Sequence, residues 1–213
     1  STWKEDPPAH FFADTYVARP GVSNLASAFF TFRYIDMIRQ PYITNGVDNY
    51  PLHRTSFWSQ LYGRTVFLHF DRWPPEWQTD DPFVIFIGRI LIITGIVPLI
   101  LFLTGLFKGV RDFFKNMFNK NFLDEDNNYL HVGITLALLA ISIIYCCDYR
   151  DFSAMKAIYI FPGLASFIIV FINGYKSLRS GALRLFVNAT LLVMIVFSMA
   201  DIGHLIYQLK YRF

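Results

Sequence analysis

Three groups of ionisable side chains in this chain are placed where they could do chemistry. The first lies in a short polar run, DYRDFSAMK at 148–156, between two strongly apolar stretches. It holds Asp148, Arg150, Asp151 and Lys156, with Tyr159 just beyond. Arg150 and Lys156 form a cationic pair suited to gripping a phosphate, the guanidinium as a two-pronged fork and the ammonium as a point charge. A plainer reading stays open: the two cations bind lipid headgroups or pair with Asp148 and Asp151. The second group is Asp201 and His204, spaced i, i+3 and so on one face of a helix. They are either functional or a satisfied polar pair between helices. The third group is His53, Arg54, Arg64, His69 and Asp71, in an aromatic-rich segment. These residues either shape a pocket or make ordinary loop contacts. Ionisable groups in or beside apolar segments are costly, which makes all three sets functional candidates.

The elements around these residues must be membrane helices. Of 213 residues 54% are hydrophobic and only 16% charged. That is more apolar and less charged than an ordinary soluble domain. The net charge of +3 is too small for a nucleic-acid footprint. Cys146 and Cys147 are adjacent, which fits neither a disulfide framework nor zinc spacing. No glycine-rich phosphate loop, HExxH or GxSxG is present. The chain starts at Ser1 without a charged-then-apolar leader, and is expected to be the C-terminal piece of a longer membrane protein.

Residues 1–82 are expected to form an ordered extramembrane segment, because a disordered one would be poor in aromatics. Leu25, Ala28, Phe29, Phe32 and Ile35 fall at helical spacing and predict a short amphipathic helix that ends by Pro41. A second short helix is expected at Ser56–Tyr62, and Trp73, Pro74, Pro75 and Trp77 form an interfacial anchor. The transmembrane domain is expected over 83–213, with spans at about 83–107, 130–147, 157–173 and 185–207. Pro98 is expected to kink the first span, and Arg89 to snorkel towards the interface. His131 is expected to be structural, and the Asn188-Ala189-Thr190 sequon falls inside a span. Lys108, Arg111, Lys115 and Lys120 follow the first span, and Lys176, Arg179 and Arg184 follow the third. Both loops are therefore cytoplasmic, which puts 1–82 and 148–156 on the outer face. Lys210 and Arg212 at the outer end of the last span run against this rule. The fold class expected is all-α, integral to the membrane, with about four spans behind a structured outer-face loop.

Two stretches resemble a known family. The run FSAMKAIYIFPGLASFIIVFINGY at 152–175 resembles the late-span pattern of polytopic GT-C glycosyltransferases. In relatives of the protein O-mannosyltransferases and the lipid A aminoarabinose transferases, a Lys-x-x-Tyr-x-x-Pro-like run opens a helix near the C-terminus. Here it corresponds to Lys156, Tyr159 and, one position late, Pro162, with the usual Leu-Pro-x-Leu-Pro form weakened to Phe161-Pro162-Gly163-Leu164. The run YPLHRTSFWSQLYGRTVFLHFDRWPPEW at 50–77 is similar to an outer loop of bacterial and archaeal members, where Ser-Phe/Leu-Trp follows an Arg- or His-containing segment.

The resemblance implies an enzyme that moves a sugar from a polyprenyl-phosphate carrier to an acceptor on the outer face of an inner or plasma membrane. It implies an acidic base upstream of Ser1, so no catalytic residue is named in this stretch. It allows a divalent metal in the whole enzyme and none in this part. The residues it carries over are Lys156 and, more weakly, Arg150, Tyr159, His53 and Arg54, as donor-binding groups. The partners expected are membrane lipid and the polyprenyl-phosphate donor, without nucleic acid. The rival reading is a transporter or scaffold subunit whose polar hinge binds lipid or a partner.

Overall fold

The computed structural model describes residues 29–41, 56–67, 70, 81–116, 128–149 and 161–212. Among them the chain is helical and contains no strand. The elements are α1 (Tyr34–Arg39), α2 (Phe57–Val66), α3 (Pro82–Thr94), α4 (Ile96–Asn116), α5 (Asn128–Tyr149), α6 (Leu164–Lys176) and α7 (Gly181–Arg212). Two stretches are long and apolar enough to cross a membrane, Pro82–Lys115 and Gly181–Gln208. At 1.5 Å per residue they reach about 51 and 42 Å, well beyond a hydrocarbon core of about 30 Å. They contain the first and fourth expected spans. The second expected span lies within α5. The third is described only from 161 onward, as a 3-10 turn at Phe161–Gly163 followed by α6. The 13 residues of α6 extend about 20 Å.

The chain packs as two compact units, one of 1–95, 145–157 and 193–213, the other of 96–144 and 158–192. In the first unit the described helices of the aromatic segment, α1 and α2, pack on α3.

In the first unit, Ser56 caps α2 by accepting from the Ser59 backbone N–H. Phe57, Met37, Phe67 and Phe70 are fully buried or nearly so, together with Ile87, Leu91 and Ile92 of α3. The helix expected at 56–62 is therefore present and longer than expected. The helix expected over 25–35 is not continuous where it is described. Phe29 and Phe30 are helical, 31–33 are not, and α1 starts only at Tyr34. The cause is competition from α2. Trp58 Nε1 donates to Phe29 O, Ser56 Oγ donates to Thr31 O, and the Arg33 N–H donates to Ser59 Oγ at 2.7 Å. These bonds take backbone groups that a helix would have paired internally. The buried face of α1 is Met37, whereas Phe32 and Ile35 of the expected apolar stripe are exposed.

Arg89 does not act only as a snorkelling cation. Its Nε and Nη2 donate to Ile38 O (3.1 Å) and Arg39 O (3.2 Å), capping the C-terminal end of α1. The planar guanidinium holds its two N–H donors in a fixed fork towards the two carbonyls, whereas an ammonium is a flexible point donor. Arg89→Lys is expected to lose about 1–2 kcal/mol in a chemical unfolding series, although it keeps the charge.

Two phenols from the aromatic segment reach the last turn of α3. Tyr62 donates to Ile92 O, and Tyr34 divides its hydrogen between Ile92 O and Ile93 O. Gly95 follows at once, and a Cβ there would crowd Val66 and the Tyr62 hydroxyl. Burial lifts the Tyr62 phenol well above the ordinary tyrosine range, and the neighbouring Tyr34 pushes it further the same way. Its unfolded-state value is near 10. A raised folded value means the contribution to stability is complete below about pH 10 and is lost as pH climbs towards the folded value. Tyr62→Phe is expected to cost about 1 kcal/mol at pH 8 and to flatten the fall in unfolding midpoint between about pH 10 and 11.5.

In the second unit, α4 and α6 meet backbone to backbone. A Cβ on Gly105 would overlap Val170 O, and one on Gly174 would overlap Leu101 O. Beyond this crossing Lys108 and Arg111 of α4 line one cavity with Lys176 and Arg179, which follow Gly174, so the two helices run in the same direction. Gly109, one turn beyond Gly105, fits against Val132 of α5. The spacing is the small-xxx-small pattern of closely packed membrane helices. Leu106, Val132 and Val170 form the core, flanked by Phe102 and Val110. The Phe102 and Phe167 rings stack with centroids 5.4 Å apart. Polar bonds tie the helices laterally. His131 Nδ1 lies 3.0 Å from Ser166 Oγ, Asn173 donates to Asn128, and the Tyr175 hydroxyl donates to Asn188 Oδ1 at 3.0 Å. His131 thus links α5 to α6, and the sequon asparagine, Asn188, links α7 to α6.

Candidate functional site

Lys156, Arg150, Tyr159, His53 and Arg54 lie outside the described residues. Asp201 and His204 are described, and both are on α7. Asp201 is 1% exposed.

His204 has a partner outside its own helix. Its Nε2 lies 3.0 Å from Asp81 Oδ2. Asp81 is the N-cap of α3, and its Oδ1 accepts from the Phe83 backbone N–H at 2.9 Å. One carboxylate therefore does two things. One oxygen satisfies a donor left open at the first turn of α3, and the other reaches the imidazole. The Phe83 ring packs 5.2 Å from the His204 ring, and Phe86 packs on Phe197 one turn along. The pair is mostly shielded, with side chains 16% (His204) and 26% (Asp81) exposed.

Asp81 is a functional candidate that motif reasoning passes over, although the sequence carries a signal for it. Asp followed by Pro at the head of an apolar run is a helix start, with the carboxylate as cap and proline at the first helical position. What the sequence does not carry is that α7 brings His204 to that cap.

Chemically the pair resembles the carboxylate–imidazole part of a proton-handling site. A neutral imidazole facing Asp81 keeps its hydrogen on Nε2, so Nδ1 is the basic nitrogen. The Gln208 side-chain amide lies 3.5 Å from Nε2, too far to compete with the carboxylate. The arrangement orients the ring through its Nε2 edge. Among the described residues no three His, Cys, Asp or Glu side chains converge as a metal site.

No protein-family model matches the chain, and neither a curated protein nor a solved structure is similar to it.

Proposed function

We propose that this chain is part of a polytopic membrane glycosyltransferase that moves a sugar from a polyprenyl-phosphate carrier to an acceptor at the outer membrane face. The observation that carries the reading is where the described ionisable pair sits. Asp81 caps the start of an apolar helix and His204 lies near the end of another, so both are at helix ends. A transporter gathers its polar groups and broken helices near the bilayer midplane. Chemistry at a membrane surface gathers them at the edge.

The aromatic segment supports the same reading. Its Ser56-Phe57-Trp58 run, which the resemblance singles out, is the folded start of α2, seated on the helix that Asp81 caps. Its described part, α2 seated on α3, offers a surface on which a donor and an acceptor can be held. The reading takes Pro82–Lys115 and Gly181–Gln208 as two crossings and the shorter apolar helices α5 and α6 as the other two. α4 and α6 run in one direction with α5 between them, and α7 follows α6 after a short turn. The face of α7 left uncovered is apolar, including Leu185 at 72% and Met199 at 66% exposure. Lipid covers such a face at no hydrophobic cost. The positive-inside rule then puts the aromatic segment and the 148–156 hinge outside.

In this reading Lys156 and Arg150 bind the donor phosphate and stabilise it as it leaves, and Tyr159, His53 and Arg54 shape the pocket. The resemblance places the acid that activates the acceptor, and any divalent metal, upstream of this stretch. The test is transfer of labelled sugar from a polyprenyl-phosphate donor by the whole protein in lipid. Lys156→Ala is expected to lose about tenfold or more in rate while staying folded, the value of a charged hydrogen bond. If wild type transfers and both Lys156→Ala and Arg150→Ala keep the full rate, the site assignment fails. If no polyprenyl donor supports transfer, the transferase reading fails and the reading as a transporter or scaffold subunit with a lipid-binding hinge moves ahead.

A further inference from the structure

The parallel packing of α4 and α6 brings together cations that lie some 70 residues apart in the chain. Beyond the Gly105–Gly174 crossing, Lys108 and Arg111 of α4 face Lys176 and Arg179 at the end of α6. They line one open cavity of ≈ 660 Å³ with Thr104, Phe107 and Ser177. No acidic side chain lines it among the described residues.

The hydroxyls in the cavity wall are already used. Thr104 Oγ1 donates to Ile100 O, and Ser177 Oγ donates to Asn173 O. The donors left for a ligand are therefore the cations. Arg111 is held by Asp112, with Nε at 3.1 Å and Nη2 at 2.9 Å from Oδ1. Lys108, Lys176 and Arg179 have no ion-pair partner among the described residues. Like charges crowded into one concavity repel each other, and an anion removes that cost. One wall is apolar, with Phe107 70% exposed at the level where the apolar run of α4 gives way to Lys108. A site with cations at the polar end and an exposed ring at the apolar end matches a molecule that has a phosphate head and a hydrocarbon tail.

We propose that Lys108, Arg111, Lys176 and Arg179 form a binding site for the phosphate of an anionic membrane phospholipid, whose acyl chain lies along Phe107. Basic pockets between membrane helices take such headgroups. The proposal rests on the helices crossing a membrane and is independent of sugar transfer, so its failure leaves the transferase reading untouched.

The test uses the purified full chain in nanodiscs of phosphatidylcholine and phosphatidylglycerol, read by native mass spectrometry as the phosphatidylglycerol that stays bound to the protein. Wild type is expected to enrich phosphatidylglycerol around itself. Lys108→Gln/Lys176→Gln/Arg179→Gln is expected to lower that enrichment about tenfold while keeping the wild-type unfolding midpoint. Lys115→Gln, an exposed cation outside the cavity, is expected to change it by less than twofold. Equal enrichment in wild type and the triple variant overturns the proposal, and so does an equal loss in Lys115→Gln. Inorganic phosphate and glycerol phosphate are added at millimolar concentration as a second arm. Persistence of the enrichment supports the lipid as the source. Displacement that depends on the same three cations assigns the site to a soluble phosphate and overturns the lipid proposal. Should the triple variant unfold, Lys176→Gln alone carries the test, with a threefold or greater loss expected and no change overturning it.

Discussion

Gly174→Leu is expected to destroy the packing of the second unit, at a cost of about 3 kcal/mol or more. The position has no room, because even a Cβ there runs into Leu101 O, which belongs to the α4 backbone and cannot rotate away. Overpacking a core ordinarily costs about 1–3 kcal/mol, because side chains give way. Here the obstacle is a helix axis, so α4 and α6 must separate and uncover Leu106 and Val170. Gly105→Leu is expected to match it, since its Cβ meets Val170 O from the other side. Gly133 is the internal control. It is on α5, where an added Cβ would meet nothing within 4 Å, so Gly133→Ala should be neutral or gain up to about 1 kcal/mol from helix propensity. Thermal unfolding in one detergent across the three variants checks this. Equal midpoints for Gly174→Leu and Gly133→Ala would show that the two helices do not touch.

The second large effect is expected at Asp81. Asp81→Ala loses the cap of α3 and the partner of a shielded imidazole together, about 2–3 kcal/mol in all. Two further variants separate the parts. Asp81→Asn keeps an acceptor for the Phe83 N–H, since asparagine caps as well as aspartate, and loses only the charge facing His204. It should recover about 1 kcal/mol of the loss. In a His204→Gln background the effect of Asp81→Asn should shrink towards zero, because coupled residues are not additive. A full-sized effect of Asp81→Asn in both backgrounds would mean that the carboxylate acts on something other than His204.

How much of this was legible in the sequence depended on the range of the forces involved. Apolar length is a local property, and the first and last expected spans fall inside Pro82–Lys115 and Gly181–Gln208. The start of α2 was legible for the same reason, since Ser56 is a good cap ahead of an aromatic run. The break at 31–33 was not, because the bonds that open it come from Ser56, Trp58 and Ser59, more than 20 residues away. Arg89 read as a lone cation in an apolar helix, and its partners are carbonyls of α1 some 50 residues earlier. For His204 the i, i+3 spacing pointed to its own helix, while the contact that orients it comes from Asp81. The Gly105-x-x-x-Gly109 pattern was open to reading as a packing face, but which helix it would meet was not. The cationic cavity follows from that meeting, and so it could not be read from two separate loop charges.

In the proposed topology one chain crosses a membrane four times, with the aromatic segment outside and the basic ends of α4 and α6 both inside. The decisive measurement is labelling of single cysteines with a membrane-impermeant maleimide on intact cells, in a Cys146→Ser/Cys147→Ser background. Thr65→Cys, on the exposed side of α2, is expected to label from outside. Lys115→Cys and Arg179→Cys are expected to label only after the membrane is opened. If Lys115→Cys and Arg179→Cys label from different sides, α4 and α6 do not both cross in the same direction. If all three label from outside, the chain does not span the membrane in this way, and the proposed topology is wrong.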